Sequence, residues 1–311
     1  MTKATIDQPK ISGVTEASLR ASGQDAESEA LSAIAGQLER TIQSSSGESF
    51  ISFAKRTLLE LTNIKFALAS FVVNNLRRRY RRSVLGFAWS LLNPIMTMCV
   101  MTAVFSMLFH QDPRSFGVYV FTGLLPWSFF NDSVLAGSGS ITGAESFLKK
   151  VYIPKLFFPL VTVSTEGANF AFSFVALVLL STILGTQLSW SIFLVVPIFA
   201  LLFLFSFSCA LFFSIATVYF RDLAHILRVG LGALFYTVPI VYPTTVVPER
   251  FQYLYAFHPI SRFAELFRIS VCEGKTPGLE VWIAPIVATV LVFVIALYTL
   301  KKTERDIIFR L

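Results

Sequence analysis

The chain has 311 residues, of which 54% are apolar and only 14% charged, with 32 phenylalanines and a net charge of +7. About a quarter of a soluble domain is charged, so this composition excludes an ordinary soluble enzyme and points to a lipid environment. The basic residues cluster beside apolar runs rather than along an exposed helix, so they flank a membrane and do not bind nucleic acid.

Residues 1–49 are rich in Ser, Gly, Glu, Gln and Thr and carry no apolar block of signal-peptide length. They bury too little to fold alone and are expected to be a disordered cytoplasmic tail, with room for a short helix near 30–42. Residues 50–311 are the expected membrane domain. From Phe50 to Leu76 the pattern is helical: Leu61, Ile64, Leu68, Phe71 and Val72 share one face, and Asn63, Ser70 and Asn74 the other. Lys55, Arg56, Glu60 and Lys65 make this a helix in the headgroup plane rather than a span, or else one packed on a partner protein.

Arg77, Arg78, Arg79, Arg81 and Arg82 then abut a run without charge from Val84 to Phe109. At 1.5 Å per residue that run exceeds a bilayer core of about 30 Å. Further spans are predicted at about 117–136, 156–184 (with Glu166 and Asn169), 191–218, 229–246 and 281–300, six in all. Two polar joints interrupt them, one over Gly137–Pro154 and one over Tyr219–Arg228. The Arg77–Arg82 block, Lys149, Lys150, Lys155, Arg221, Arg228, Lys301, Lys302 and Arg305 fall on one side. The positive-inside rule makes that side cytoplasmic, with both termini. Between the last two spans, Glu249, Arg250, Arg262, Glu265 and Arg268 make crossing costly, and His258-Pro259 breaks the segment. Two re-entrant half-helices are expected there.

Taken in order, Leu76–Pro94 with its arginine block, Gly123–Phe130, Phe147–Pro154, Tyr219–Asp222, Pro239–Pro243 and His258-Pro259 resemble the permease subunit of type-2 ABC exporters. The resemblance covers about residues 55–311. It is to the branch that exports polysaccharides and polyol phosphates, such as O-antigen, capsule, teichoic acid and cell-wall galactan. It implies an all-α membrane protein, no catalytic residue on this chain, and a separate cytoplasmic ABC ATPase that carries ATP and Mg. It also implies a second copy of the chain in a 2+2 assembly, in the cytoplasmic (inner) membrane. Two departures are the long tail and His258, which stands where the branch commonly has Asn.

The residues support this division of labour. Gly274-Lys-Thr276 looks like the end of a phosphate loop, but Ile269 stands where that motif needs Gly. Gly137–Gly143 misses the dinucleotide spacing and follows a span rather than a strand. The cysteines Cys99, Cys209 and Cys272 form no even framework, and no Cys/His spacing suits a metal. Energy must therefore come from the partner.

Over Ile141–Ile153, the residues Ile141, Glu145, Leu148 and Tyr152 lie near one helical stripe beside Lys149 and Lys150. The resemblance implies that this joint is the coupling helix. Arg221 and Asp222 are a weaker candidate for the same role, since a local ion pair would also explain them. The arginine block is a topology signal and a candidate landing patch for anionic lipid or a lipid-linked pyrophosphate. Trp89, Glu166, Phe251, Tyr253 and Tyr255 are candidates to line a channel or exit gate for a glycan. Glu166 and Asn169 are expensive in lipid and face either a channel or the partner subunit, or else take a buried, hydrogen-bonded packing role. The alternatives are a permease for drugs or small lipids, a stand-alone ion-coupled transporter and a membrane glycosyltransferase. Against the last two, Glu166 stands alone as an intramembrane charge, no internal repeat is seen, and no Asp-x-Asp occurs.

Overall fold

A computed structural model describes residues 49–81, 85–150, 153–185, 189–242, 248, 250, 255, 258–304 and 306–311. By internal contacts the chain divides into two units, Met1–Lys55 and Arg56–Leu311. Most of the first unit, including the helix expected near 30–42, lies outside the described residues.

The described secondary structure is helical. Helix α1 (Phe50–Asn63) and α2 (Lys65–Tyr80) replace the single helix expected over 50–76. They part at Ile64 (φ −105°, ψ 14°), just after Thr62 and Asn63, both weak helix formers. In α2, Leu68, Phe71 and Val72 are half-buried while Ser70 and Asn74 are exposed. The helix continues past Leu76, so Arg77, Arg78 and Arg79 form its last turn. Unpaired carbonyls at a helix C-terminus favour cations there.

Helix α3 (Trp89–Phe109) ends at His110 in a left-handed conformation (φ 52°). The turn leads at once into α4 (Pro113–Ser138), whose first turn is capped by Asp112 accepting from the Ser115 N–H at 3.0 Å, with Pro113 at the first helical position. Two single-turn helices follow, α5 (Ser140–Gly143) and α6 (Glu145–Leu148), then α7 (Phe157–Ile183). A 3₁₀ turn (Trp190–Leu194) runs into α8 (Val195–Tyr219). The remaining helices are α9 (Leu223–Thr237), α10 (Pro259–Val271), α11 (Leu279–Thr303) and α12 (Ile307–Arg310).

Among the described residues, four stretches are long and apolar enough to cross a bilayer: Leu91–Phe109, Phe157–Ile183, Trp190–Tyr219 and Leu279–Thr303. These coincide with four of the six expected spans. The second expected span lies within α4, which is long enough at 26 residues but is less apolar and largely buried. The fifth, over 229–246, is corrected: helix α9 stops at Thr237, because Val238 precedes Pro239 and is forced into an extended conformation (φ −88°, ψ 130°). Of the two expected half-helices, α10 is the second. The first falls mostly outside the described residues.

The phenylalanines explain how the helices hold together. Phe129 (α4), Phe170 (α7) and Phe199 (α8) form one cluster, with ring centroids 4.2 Å apart for Phe170–Phe199 and 5.1 Å for Phe129–Phe199. Phe267 of α10 joins it edge-on at 5.8 Å from Phe170. In apolar surroundings, helices associate through such close packing rather than through hydrophobic exclusion. Small residues allow the approach elsewhere: a Cβ at Gly137 of α4 would lie 2.5 Å from the Ala210 Cβ of α8.

Candidate functional site

Two cavities lie toward opposite ends of α4. One includes Tyr119, the other adjoins α5, and Tyr119 and Ser138 are about 28 Å apart along the helix axis at 1.5 Å per residue. That is close to a bilayer core.

The arginine-end cleft, of about 680 Å³, is lined by Arg77, Arg78 and Arg81 on one wall and by Ser140, Gly143 and Phe147 on another. Its walls are joined by aromatic contacts. Phe71 of α2 meets Phe147 of α6 at 6.1 Å and Phe157 of α7 at 5.4 Å, and Phe147 meets Phe158 at 6.4 Å. The arginine helix, the joint after α4 and the start of α7 therefore share one packed unit.

Arg79 does not line this cleft. Its guanidinium donates to both carboxylate oxygens of Glu166 at 2.8 and 3.0 Å, and the Asn169 side-chain amide donates to Glu166 at 2.8 Å. Glu166 is 8% exposed and lines a small cavity beside Asp132. Glu166 thus anchors α2 on α7, the hydrogen-bonded packing role that the sequence also allowed. Arg82 lies outside the described residues.

The expected coupling helix over 141–153 is corrected to the two single turns α5 and α6, separated at Ala144. Ile141 and Leu148 are buried in the chain's own core, whereas Phe147, Lys149 and Lys150 are exposed. The stripe at helical spacing anchors the joint, and its exposed face carries one aromatic ring and two lysines. Lys149 donates to Glu145 at 2.6 Å. That hydrogen bond and charge, with the field of Arg221, hold the Glu145 carboxyl below its ordinary range. Arg221 of the second joint therefore stands near the first. Arg221 and Asp222 are both exposed. Tyr152 lies outside the described residues.

At the other end of α4 a second cavity of about 680 Å³ opens between Tyr119, α10 and the start of α11. Tyr255 lines it, its hydroxyl 3.0 Å from that of Tyr242. Phe251 and Tyr253 lie outside the described residues. Trp89 opens α3, about 30 Å along that helix from Phe109, which meets Phe116 at the Tyr119 end. It stands at the arginine end. His258 caps α10, its Nδ1 accepting from the Ser261 N–H at 3.2 Å. An asparagine oxygen would supply the same acceptor, which accounts for the exchange noted above.

Among the described residues no group of His, Cys, Asp and Glu could hold a metal ion. The ABC-2 type transporter family matches this chain over residues 67–271. The chain belongs to that family. As an ABC-2 permease it is a multi-pass membrane subunit of the kind that lacks an ATPase domain, and the family implies an ATPase partner.

Among its relatives is the O-antigen export system permease protein RfbA of Myxococcus xanthus, 31% identical over 247 residues, covering 78% of this chain and 93% of that protein. The RfbA permease of Klebsiella pneumoniae is 28% identical over 198 residues (63% and 76%). The polysialic acid transport protein KpsM of Escherichia coli is 21% identical over 213 residues (68% and 83%).

Sequence reasoning missed Phe147 as an exposed residue and Asn169 as a partner of Glu166. Its period found the joint but not which face pointed outward.

Proposed function

We propose that this ABC-2 permease exports a lipid-linked polysaccharide of the O-antigen or capsular kind. Two copies would form the pathway across the cytoplasmic membrane above two ATPase subunits, which bind ATP and Mg. Six spans carry the path, α4 being the second and α9, which ends at Thr237 instead of running over 229–246, opening the fifth, with both termini and the 1–49 tail in the cytoplasm. The observation that carries this reading is the shared wall of the arginine-lined cleft and the coupling joint. Arg77, Arg78 and Arg81 offer guanidinium forks to a pyrophosphate headgroup. The Phe71–Phe147 contact ties those arginines to the exposed Phe147–Lys150 face, where an ATPase would push. ATP-driven motion of the joint would therefore reach the group that holds the cargo. The likeness to O-antigen permeases supports the same cargo class.

The test is conditional depletion with radiolabelled sugar followed into the lipid-extractable fraction. Accumulation of a long lipid-linked glycan is expected, and an unchanged pool would reject the cargo in favour of drug or lipid efflux. Lys149→Glu/Lys150→Glu combined with Phe147→Ala should abolish export while leaving membrane insertion intact. Normal export by that variant would sink the coupling role.

A further inference from the structure

Arg268 of α10 is 8% exposed, yet among the described residues no carboxylate lies within ion-pairing distance of it. Its guanidinium stacks on the Tyr119 ring, 3.8 Å from the centroid, and one terminal nitrogen donates to the Ile240 carbonyl at 2.7 Å. Nε has no hydrogen-bond partner among the described residues. Burying an unpaired charge is costly, and such charges are normally matched by a counter-ion.

The surroundings are shaped to hold this side chain in place. A Cβ at Gly123 would lie 2.7 Å from a terminal nitrogen of Arg268, so the absence of a side chain there makes its berth. Arg268 lines the outer cavity together with two other cations, Arg262 and Lys275, and three carboxylates, Glu265, Glu273 and Glu280. Arg262 pairs with Glu265 at 2.6 Å and Lys275 with Glu273 at 3.3 Å. Glu280 is exposed and bends back over Gly278. Among the described residues, the buried wall of the cavity is left with a cation that has no carboxylate within ion-pairing distance.

We propose that Arg268 is the anchor of an oxyanion subsite in this outer cavity, which takes a phosphate group. The terminal hydrogens not given to Ile240 remain for its oxygens, and a guanidinium fork suits phosphate geometry. The phosphate comes either from a lipid headgroup in the outer leaflet or from a group carried by the exported molecule. The cavity volume accommodates a phosphate with an attached sugar. The subsite stands whether or not the cargo is a polysaccharide, because its binding is measured without export.

The test uses the full chain alone in phosphatidylcholine nanodiscs, carrying Arg77→Gln/Arg78→Gln/Arg81→Gln so that the inner cleft contributes nothing. Inorganic pyrophosphate is titrated by calorimetry. Binding is expected, weakened at least tenfold by Arg268→Gln and several-fold by Arg268→Lys, which keeps the charge but loses the fork. If Arg268→Gln does not fold, Gly123→Ala provides the second variant, since it displaces the guanidinium and leaves its charge; the same loss is expected. No binding to the parent, or equal binding by the variants that fold, overturns the proposal. Adding phosphatidylglycerol to the discs separates the sources. Competition with pyrophosphate identifies a lipid headgroup site, and unchanged binding identifies a site for a phosphate on the cargo.

Discussion

Gly137 offers the sharpest test of how α4 and α8 are joined. An added Cβ there would stand 2.5 Å from the Ala210 Cβ and 3.3 Å from its Cα. Carbon atoms pack at about 3.5–4.0 Å, so Gly137→Ala must push the helices apart by about 1 Å or distort one of them. Overpacking of this kind costs about 1–3 kcal/mol, partly offset by about 1 kcal/mol of helix propensity gained on replacing glycine. Gly139, two residues on, has negative φ and nothing within 4 Å of its Cβ position. Gly139→Ala is therefore expected to be neutral or to stabilise by about 0.4–1 kcal/mol. Net of the propensity gain, Gly137→Ala costs up to about 2 kcal/mol, so the two variants should differ by up to about 3 kcal/mol in thermal unfolding of the purified chain, read as the monodisperse fraction surviving heating in detergent. Moving the methyl across the interface, in Gly137→Ala/Ala210→Gly, should restore most of the loss. Gly137→Ala as stable as Gly139→Ala, or a swap that rescues nothing, would refute the close-approach reasoning.

The Arg79–Glu166 bridge should show coupling in a double-mutant cycle. Arg79 is nearly half exposed, so water replaces part of what it gives. Arg79→Ala should then cost about 1–2 kcal/mol rather than the roughly 3–5 of a fully buried pair. In a Glu166→Gln background the same change should cost under about 0.5 kcal/mol, and equal costs in both backgrounds would deny the bridge. At the joint before α7, burial pulls the Lys155 ammonium below its ordinary pKa of 10.5, against the nearby Glu304 charge. Between the lowered value and 10.5 the unfolded chain holds more protons, so stability from this group rises with pH across that window and is at its lowest below it. Lys155→Met should remove that alkaline rise, and identical slopes for the two proteins would contradict it.

The long apolar helices were legible because a bilayer demands runs that no soluble core requires. The error at 229–246 came from reading hydropathy through Pro239, whose effect on Val238 is a local steric fact that apolar content does not register. Glu166 stood open between a channel and a buried packing role because its cost in lipid is visible in sequence, while its partner, 87 residues away, is not. At the joint, Ile141 and Leu148 had the right spacing for a helix face, but an apolar stripe packs on its own chain first. The surface left for a partner is the one it does not use. Arg268 was visible only as an expensive charge; its berth needed Gly123, Tyr119 and Ile240 to be brought together by the fold.

The left-handed turn at His110 has a consequence for biosynthesis. Only three residues separate α3 from α4, and Gly117 packs within reach of Thr102 across the turn. The two helices form a hairpin whose contacts are among the most local in the chain, and loops that short close quickly. As the chain is made from its N-terminus, this hairpin can pair before α7 and α8 exist. The first membrane-embedded folding unit is then already in place as the template on which the later helices dock.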